Sequence, residues 1–234
     1  MGVSVGSSIY NAPSIYESGA GGGTEGEGEY GAGSVAMPEG FTRLLYIENN
    51  KIDRYFTCDF YNLNLTCDDD FLFSMKLPEF VLGGDLFFPI GGLQTITLSL
   101  SKRSFIGGKT YIESPSRFFG YSFEKNTNMD LSNSLTDVVI NKSGLSINDV
   151  NIMNFNGPFD QNTRQEIIFP NNMPSDNIAA SFQCFKFVVK NGNSIKYDFI
   201  PAKNNNTNAV GFLDLVNGSF YNASSSIAGP IIPY

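Results

Sequence analysis

Hydrophobic and polar positions alternate along most of this chain. Phe71, Phe73 and Met75 take turns with Leu72, Ser74 and Lys76, the two-residue period of a strand with one face in a core. Ile96, Leu98 and Leu100 alternate in the same way with Thr95, Thr97, Ser99 and Ser101, and Phe119, Tyr121 and Phe123 share a face further on. Strand-like runs are predicted at 42–48, 54–65, 70–77, 85–90, 94–101, 109–113, 116–124, 146–154, 165–169, 179–190, 195–200, 209–216 and 219–221, with Pro78-Glu79-Phe80 ending the third. Residues 126–144 are the least β-like. There Leu131, Leu135, Val138 and Val139, behind Asp130 or Ser132 as an N-cap, suit either one short helix or an irregular loop.

Two Asn-Gly pairs lie between strand-like runs near the end of the chain, Asn191-Gly192 and Asn217-Gly218. Each predicts a two-residue hairpin, because a type I′ turn needs positive φ at both central residues. Asn tolerates that conformation and Gly accepts it freely. Roughly a dozen short strands without βαβ alternation fit an all-β fold, an antiparallel two-sheet sandwich of jelly-roll type.

Residues 1–40 are a different material. They hold 11 of the 24 glycines, and between Gly19 and Gly33 only Tyr30 offers a sizeable apolar side chain. Such a segment buries too little surface to offset its ordering entropy, so an extended Gly-rich arm without a shape of its own is expected. Within it Ser8-Ile9-Tyr10 and Ser14-Ile15-Tyr16 repeat at a spacing of six, with Pro13 between. An even spacing points Ile9 and Ile15 the same way from an extended chain, about 20 Å apart. Ile9, Tyr10, Ile15 and Tyr16 are therefore the candidate partner-docking residues, suited to a groove or a sheet edge on another protein. A chance repeat in a low-complexity tail is the alternative. The organisation that follows is an anchor peptide at 1–18, a Gly-rich linker at 19–40 solvated by Glu25, Glu27 and Glu29, and a folded domain at 41–234.

Composition narrows the chemistry. With 21 Phe and 11 Tyr in 234 residues, the chain carries the apolar surface for a substantial core. Its net charge of −8, without any run of five Lys or Arg, argues against nucleic acid as a partner. No apolar run approaches membrane-spanning length and the N-terminus lacks the pattern of a signal peptide, so membrane insertion is not expected and folding in the cytoplasm is. Cys58, Cys67 and Cys184 are an odd set without C-x-x-C spacing. Cys58 and Cys67 could face each other across a hairpin, although single buried thiols are the ordinary state of free cysteine.

The chain has no histidine, which removes Ser-His-Asp and Cys-His nucleophile systems, His-ligated zinc and the commonest general base. Asp68-Asp69-Asp70 invites a calcium reading, yet the loop spacing of a calcium site does not follow, and acidic residues at a strand-connecting turn account for it as well. No pair of carboxylates can be placed by spacing at the separation glycoside hydrolysis requires. No catalytic residue, cofactor-binding residue or metal ligand is assigned, and an enzyme is not expected. Tyr111, Phe118, Phe119 and Tyr121 are sugar-stacking candidates if exposed and core residues if not. Asn204–Asn208 reads as turn chemistry, and Gly19–Gly23 lacks the strand and the Lys-Ser/Thr of a phosphate loop.

The stretch 194–222 reads SIKYDFIPAKNNNTNAVGFLDLVNGSFYN. Its Asp198-Phe199-Ile200-Pro201, then Gly211-Phe212, Asp214-Leu215-Val216-Asn217-Gly218 and Phe220-Tyr221, resemble the closing strands of concanavalin A-like, laminin-G-like jelly-roll domains. These occur in virion structural proteins of tailed phages, many of them crAss-like phages of gut Bacteroidales. Ala202 stands where that pattern commonly has Cys, and Tyr46-Ile47-Glu48 with Ile52-Asp53 is what matches its opening. The resemblance implies the jelly-roll fold and a virion context. On that basis the chain is expected to be a non-enzymatic fibre or decoration module, folded in the bacterial host cytoplasm. It would be docked on capsid or tail proteins by its N-terminal arm, with a homo-oligomer, a trimer among the options, and a host surface glycan as further partners. A carbohydrate-binding module outside a virion is the alternative, and a glycoside hydrolase a more distant one.

Overall fold

The protein is described by a computed structural model over residues 37–49, 57–58, 60–80, 85–88, 98–103, 109–118, 121–131, 133–157, 165–167, 180–224 and 226–232. The chain divides into Met1–Met37 with Tyr234 and Pro38–Pro233. Of the first unit only Met37 is described, so the predicted docking residues Ile9, Tyr10, Ile15 and Tyr16 lie outside the described residues.

The second unit is all-β, and the described residues hold no helix. Its strands are β1 (Phe41–Arg43), β2 (Ile47–Asn49), β3 (Thr57–Cys58), β4 (Phe60–Leu65), β5 (Asp69–Phe80), β6 (Asp85–Phe88), β7 (Leu98–Arg103), β8 (Lys109–Phe118) and β9 (Tyr121–Asn126). The second half adds β10 (Leu135–Asn141), β11 (Gly144–Ile147), β12 (Val150–Asn154), β13 (Gln165–Ile167), β14 (Ala180–Asn191), β15 (Ser194–Asn204), β16 (Val210–Asp214), β17 (Phe220–Ser224) and β18 (Ser226–Ala228). A large antiparallel sheet runs β12-β11-β10-β5-β14-β15-β16-β17-β3, while β6-β7-β8-β9 and β13-β4 form two smaller ones.

The long strands β5, β14 and β15 are its spine. Where β14 and β15 diverge, the opening segment fills the fork, β2 pairing Gln183 and Cys184 and β1 pairing Ala202 to Asn204. On one face the register sets Phe73 beside Phe187 and Phe187 beside Phe199. The rings stack at centroid distances of 4.5 and 5.3 Å, each pair adding about 1 kcal/mol beyond area burial. Leu63 and Leu65 of β4, with Leu131 and Phe155, belong to the same buried cluster, and the Asn64 backbone N–H donates to Tyr197 Oη at 3.1 Å. Strand β4 therefore lies over the aromatic face.

Several sequence expectations need correction. Of the region 126–144, read as a short helix or an irregular loop, the described residues between 127 and 134 form neither strand nor helix, while Leu135–Asn141 is β10 and Gly144 begins β11. Thr136, Val138 and Ile140 are buried at a two-residue period opposite Met75, Phe73 and Phe71, and that period outweighs the weaker i, i+3, i+4 spacing. The run 146–154 is two strands. Asn148 and Asp149, with φ of 48° and 62°, turn the chain between Ile147 and Val150 as a type I′ turn requires. Pro78 does not end β5, which continues to Phe80. Strand β10 stops at the pair Leu135–Lys76, so Pro78 lies beyond that ladder, where a missing donor is tolerated.

Of the two Asn-Gly pairs read as hairpins, the first lies in a two-residue hairpin shifted by one residue and the second does not make a two-residue turn. At the first, Asn191 is the last ladder residue and Gly192-Asn193 are central, with only Gly192 at positive φ, the φ pattern of a type II′ turn. At the second, residues 215–219 form a longer loop between β16 and β17. Its bend is made by Asp214, whose Oδ1 accepts the Val216 N–H at 3.0 Å, and Gly218 alone has positive φ.

Candidate functional site

The face of the large sheet opposite the aromatic row carries a group of polar side chains among apolar ones. Residues paired directly across antiparallel strands share a face, and Asp137, Ser74 and Lys186 form one such row while Val139, Leu72, Val188 and Asp198 form the next. These positions alternate with core residues Val138, Phe73 and Phe187. A third row, Leu135, Lys76, Gln183 and Glu48, continues onto β2.

Polar groups on this face are joined pairwise. Ser74 Oγ donates to Asp137 Oδ1 at 2.5 Å, Gln183 Nε2 donates to Glu48 Oε2 at 3.1 Å, and Lys186 Nζ stands 3.1 Å from Asp198 Oδ1 with side-chain exposures of 32% and 16%. Partial burial pushes the Asp137 carboxyl above the ordinary carboxylate range; the Ser74 hydrogen bond pulls the other way, and the Asp149 charge adds to the rise. A register shift between Cys184 and Lys186 sets Phe185 out as an extra residue, and its ring meets Tyr46 at 5.4 Å and an interplanar angle of 57°. Tyr46 in turn lies against Gly229, where a Cβ would come within 2.7 Å of the ring. Carboxylates, an ammonium and an amide beside two rings offer hydrogen bonds and an apolar platform to a neutral, hydroxyl-rich ligand.

A second cluster closes the end of the spine. Asp69 is fully buried and accepts from Lys196 Nζ at 2.8 Å, from Asn191 Nδ2 at 3.0 Å and from the Thr66 N–H at 2.7 Å. Asp68 pairs with Lys142 at 2.6 Å. The acidic triplet that invited a calcium reading thus gives two of its carboxylates to lysines, and among the described residues no group of three or more acidic or thiol side chains is placed to hold a metal ion. Asp214 is fully buried too. Its Oδ1 ties the Asp198 N–H at 2.9 Å as well as that of Val216, which locks the loop after β16 onto β15.

Of the sugar-stacking candidates, Tyr111, Phe118 and Tyr121 sit on β8 and β9, but their side chains lie outside the described residues, as does Phe119. Asn204–Asn208 is a turn: Asn204 Oδ1 accepts the N–H groups of Asn206 and Thr207 at 3.0 and 3.2 Å. Cys67 and Cys184 are buried free thiols, and the Cys58 side chain lies outside the described residues. Burial raises the Cys184 thiol far above its ordinary range and raises Cys67 as well, where the neighbouring Asp68 adds to the effect.

The sequence alone did not point to this polar group. Its signal was present in Ser74 and Lys76, the polar partners in an alternating strand, but Asp137 was read within a short helix or an irregular loop and Lys186 and Asp198 belong to strands whose register is set by long-range pairing. Comparison with known proteins finds no matching family model, curated protein or solved structure.

Proposed function

We propose that this chain is a non-enzymatic structural protein of a tailed-phage virion. In this reading a two-sheet jelly-roll sandwich is displayed as a fibre or decoration module and docked on capsid or tail by residues 1–18 through the Gly-rich linker. The observation that carries it is where the family-like stretch falls. Asp198–Pro201, Gly211–Asp214 and Phe220-Tyr221 make up the adjacent strands β15, β16 and β17, and Phe199, Phe212, Leu213 and Asp214 are fully buried. The similarity therefore resides in residues that determine a fold. Strand β4 over the aromatic face supports a second layer, as a sandwich needs. Within a virion the polar group of Lys186, Asp198, Gln183 and Glu48 beside Tyr46 and Phe185 is the surface suited to a host glycan.

Deleting residues 1–18, or combining Tyr10→Ala with Tyr16→Ala, is expected to abolish incorporation into particles while the domain still folds. Normal occupancy of the truncated protein would overturn the docking role. The same polar group also favours a second reading, a carbohydrate-binding module that acts outside a virion. It predicts glycan-array binding by the full chain, lost on Lys186→Ala, together with no particle association.

A further inference from the structure

We propose that Asn156 is a self-modification site, its carboxamide converting to a carboxylate through a cyclic imide formed with Gly157. The chain holds three Asn-Gly pairs, at 156–157, 191–192 and 217–218. In such a pair the glycine nitrogen reaches the asparagine Cγ with least hindrance, because glycine has no side chain to restrict the backbone rotation. The Gly157 nitrogen bonds to Asn156 Cγ, the Cγ–Nδ2 bond breaks, and Nδ2 leaves as ammonia with the proton given up by Gly157. Water then opens the imide at either carbonyl, giving aspartate or isoaspartate. Water is the one co-reactant, and no oxidant or reductant is involved.

The fold treats the three pairs differently. Asn191 donates its Nδ2 to the buried Asp69 Oδ1 at 3.0 Å, and its backbone is laddered to Asp69 on one side and Ser194 on the other. Asn217 Oδ1 accepts the Ser219 N–H at 2.9 Å, and the nitrogen that would attack, Gly218 N, donates to the Asp214 carbonyl at 2.8 Å. Both amides are held away from the geometry of ring closure. Asn156 lies two residues past the last ladder pair of β12, Gly144–Asn154, and one past the Phe155 N–H bond to the Ser143 carbonyl. It is exposed, and among the described residues neither its side chain nor the Gly157 N–H has a hydrogen bond. Because the site lies beyond the ladder, the extra main-chain carbon of isoaspartate leaves the β11–β12 pairing intact. The product makes the chain one unit more negative than −8.

The test incubates the folded full chain at mildly alkaline pH and maps its peptides by mass spectrometry, with a urea-unfolded sample alongside. The Asn156 peptide is expected to convert into two isomeric acid forms while the Asn191 and Asn217 peptides keep their amides, and the unfolded sample to convert all three. Gly157→Ala should slow the Asn156 reaction by about tenfold, since alanine lacks glycine's backbone freedom. Conversion of Asn191 or Asn217 in the folded chain as fast as Asn156 would overturn the proposal. So would an unchanged Asn156 peptide over a period in which the unfolded chain reacts.

Discussion

Gly211 and Gly192 show how differently two glycines of one sheet are constrained. A Cβ on Gly211 would stand 2.1 Å from the Tyr221 carbonyl oxygen, whereas one on Gly192 would meet nothing within 4 Å. Gly211→Ala must push two ladder strands apart and is expected to cost about 3 kcal/mol. Gly192→Ala meets only the strain of φ +58°, about 1 kcal/mol. Urea midpoints of the two variants check both, and equal losses would refute the close-approach argument. Asp137 carries a pH prediction. Its carboxyl is raised by burial in the folded chain, so the folded state holds the proton more tightly than the unfolded one. The stability linked to that proton is full below the unfolded value of about 3.9 and is lost as pH rises through the folded one. Asp137→Asn, which keeps an acceptor for Ser74, is therefore expected to match or exceed the parent in stability at neutral pH, with its relative advantage vanishing in acid. Thermal unfolding across pH would show it, and an advantage that grew toward acid would contradict the sign.

At the scale of elements, local turn chemistry decided more than dipeptide identity. Asn148-Asp149 makes a two-residue turn that sequence reading passed over as strand interior, while Asn217-Gly218 makes none because the Asp214 carboxylate bends the chain first. Asp149 is exposed with φ of 62°, so Asp149→Gly relieves left-handed strain and is expected to stabilise the protein by about 1 kcal/mol. Chemical denaturation measures this directly, and a destabilised variant would mean that the side chain of Asp149 matters more than its backbone. Within 126–144, read as a short helix or an irregular loop, residues 135–141 are a strand for a tertiary reason. Thr136, Val138 and Ile140 find a ready ladder in Met75, Phe73 and Phe71, and a long-range pairing of that kind overrides local period.

Across the whole unit, core burial links remote strands. Cys67, beside the start of β5, and Cys184, on β14, belong to one buried cluster with Phe71, Met75 and Phe187. A thiol reagent is expected to reach neither in the folded protein and to label both in a single phase that follows global unfolding. Rapid labelling of Cys184 in native buffer would show that the β14 region opens by itself. The cluster gathers strands from both halves of the chain, so the opening segment and the closing strands complete the same core. That arrangement is why the fork between β14 and β15 is closed by β1 and β2, which precede them by more than a hundred residues.

Alternation of apolar and polar side chains was enough to specify an all-β chain, many of its strands, and the strand character of the closing stretch, because the period of a half-buried strand is a local property. It also marked Asn204–Asn208 as a turn, since an asparagine side chain bonds its own neighbouring backbone. Which strands pair, and therefore that Asp137, Ser74, Lys186 and Asp198 meet on one face, depended on register between segments far apart in sequence. The same holds for the fate of the acidic triplet: only the ladder between β5 and β14 brings Asn191 to Asp69, and only the next one, between β14 and β15, brings Lys196 there; a one-residue slip would have turned these side chains to the other face.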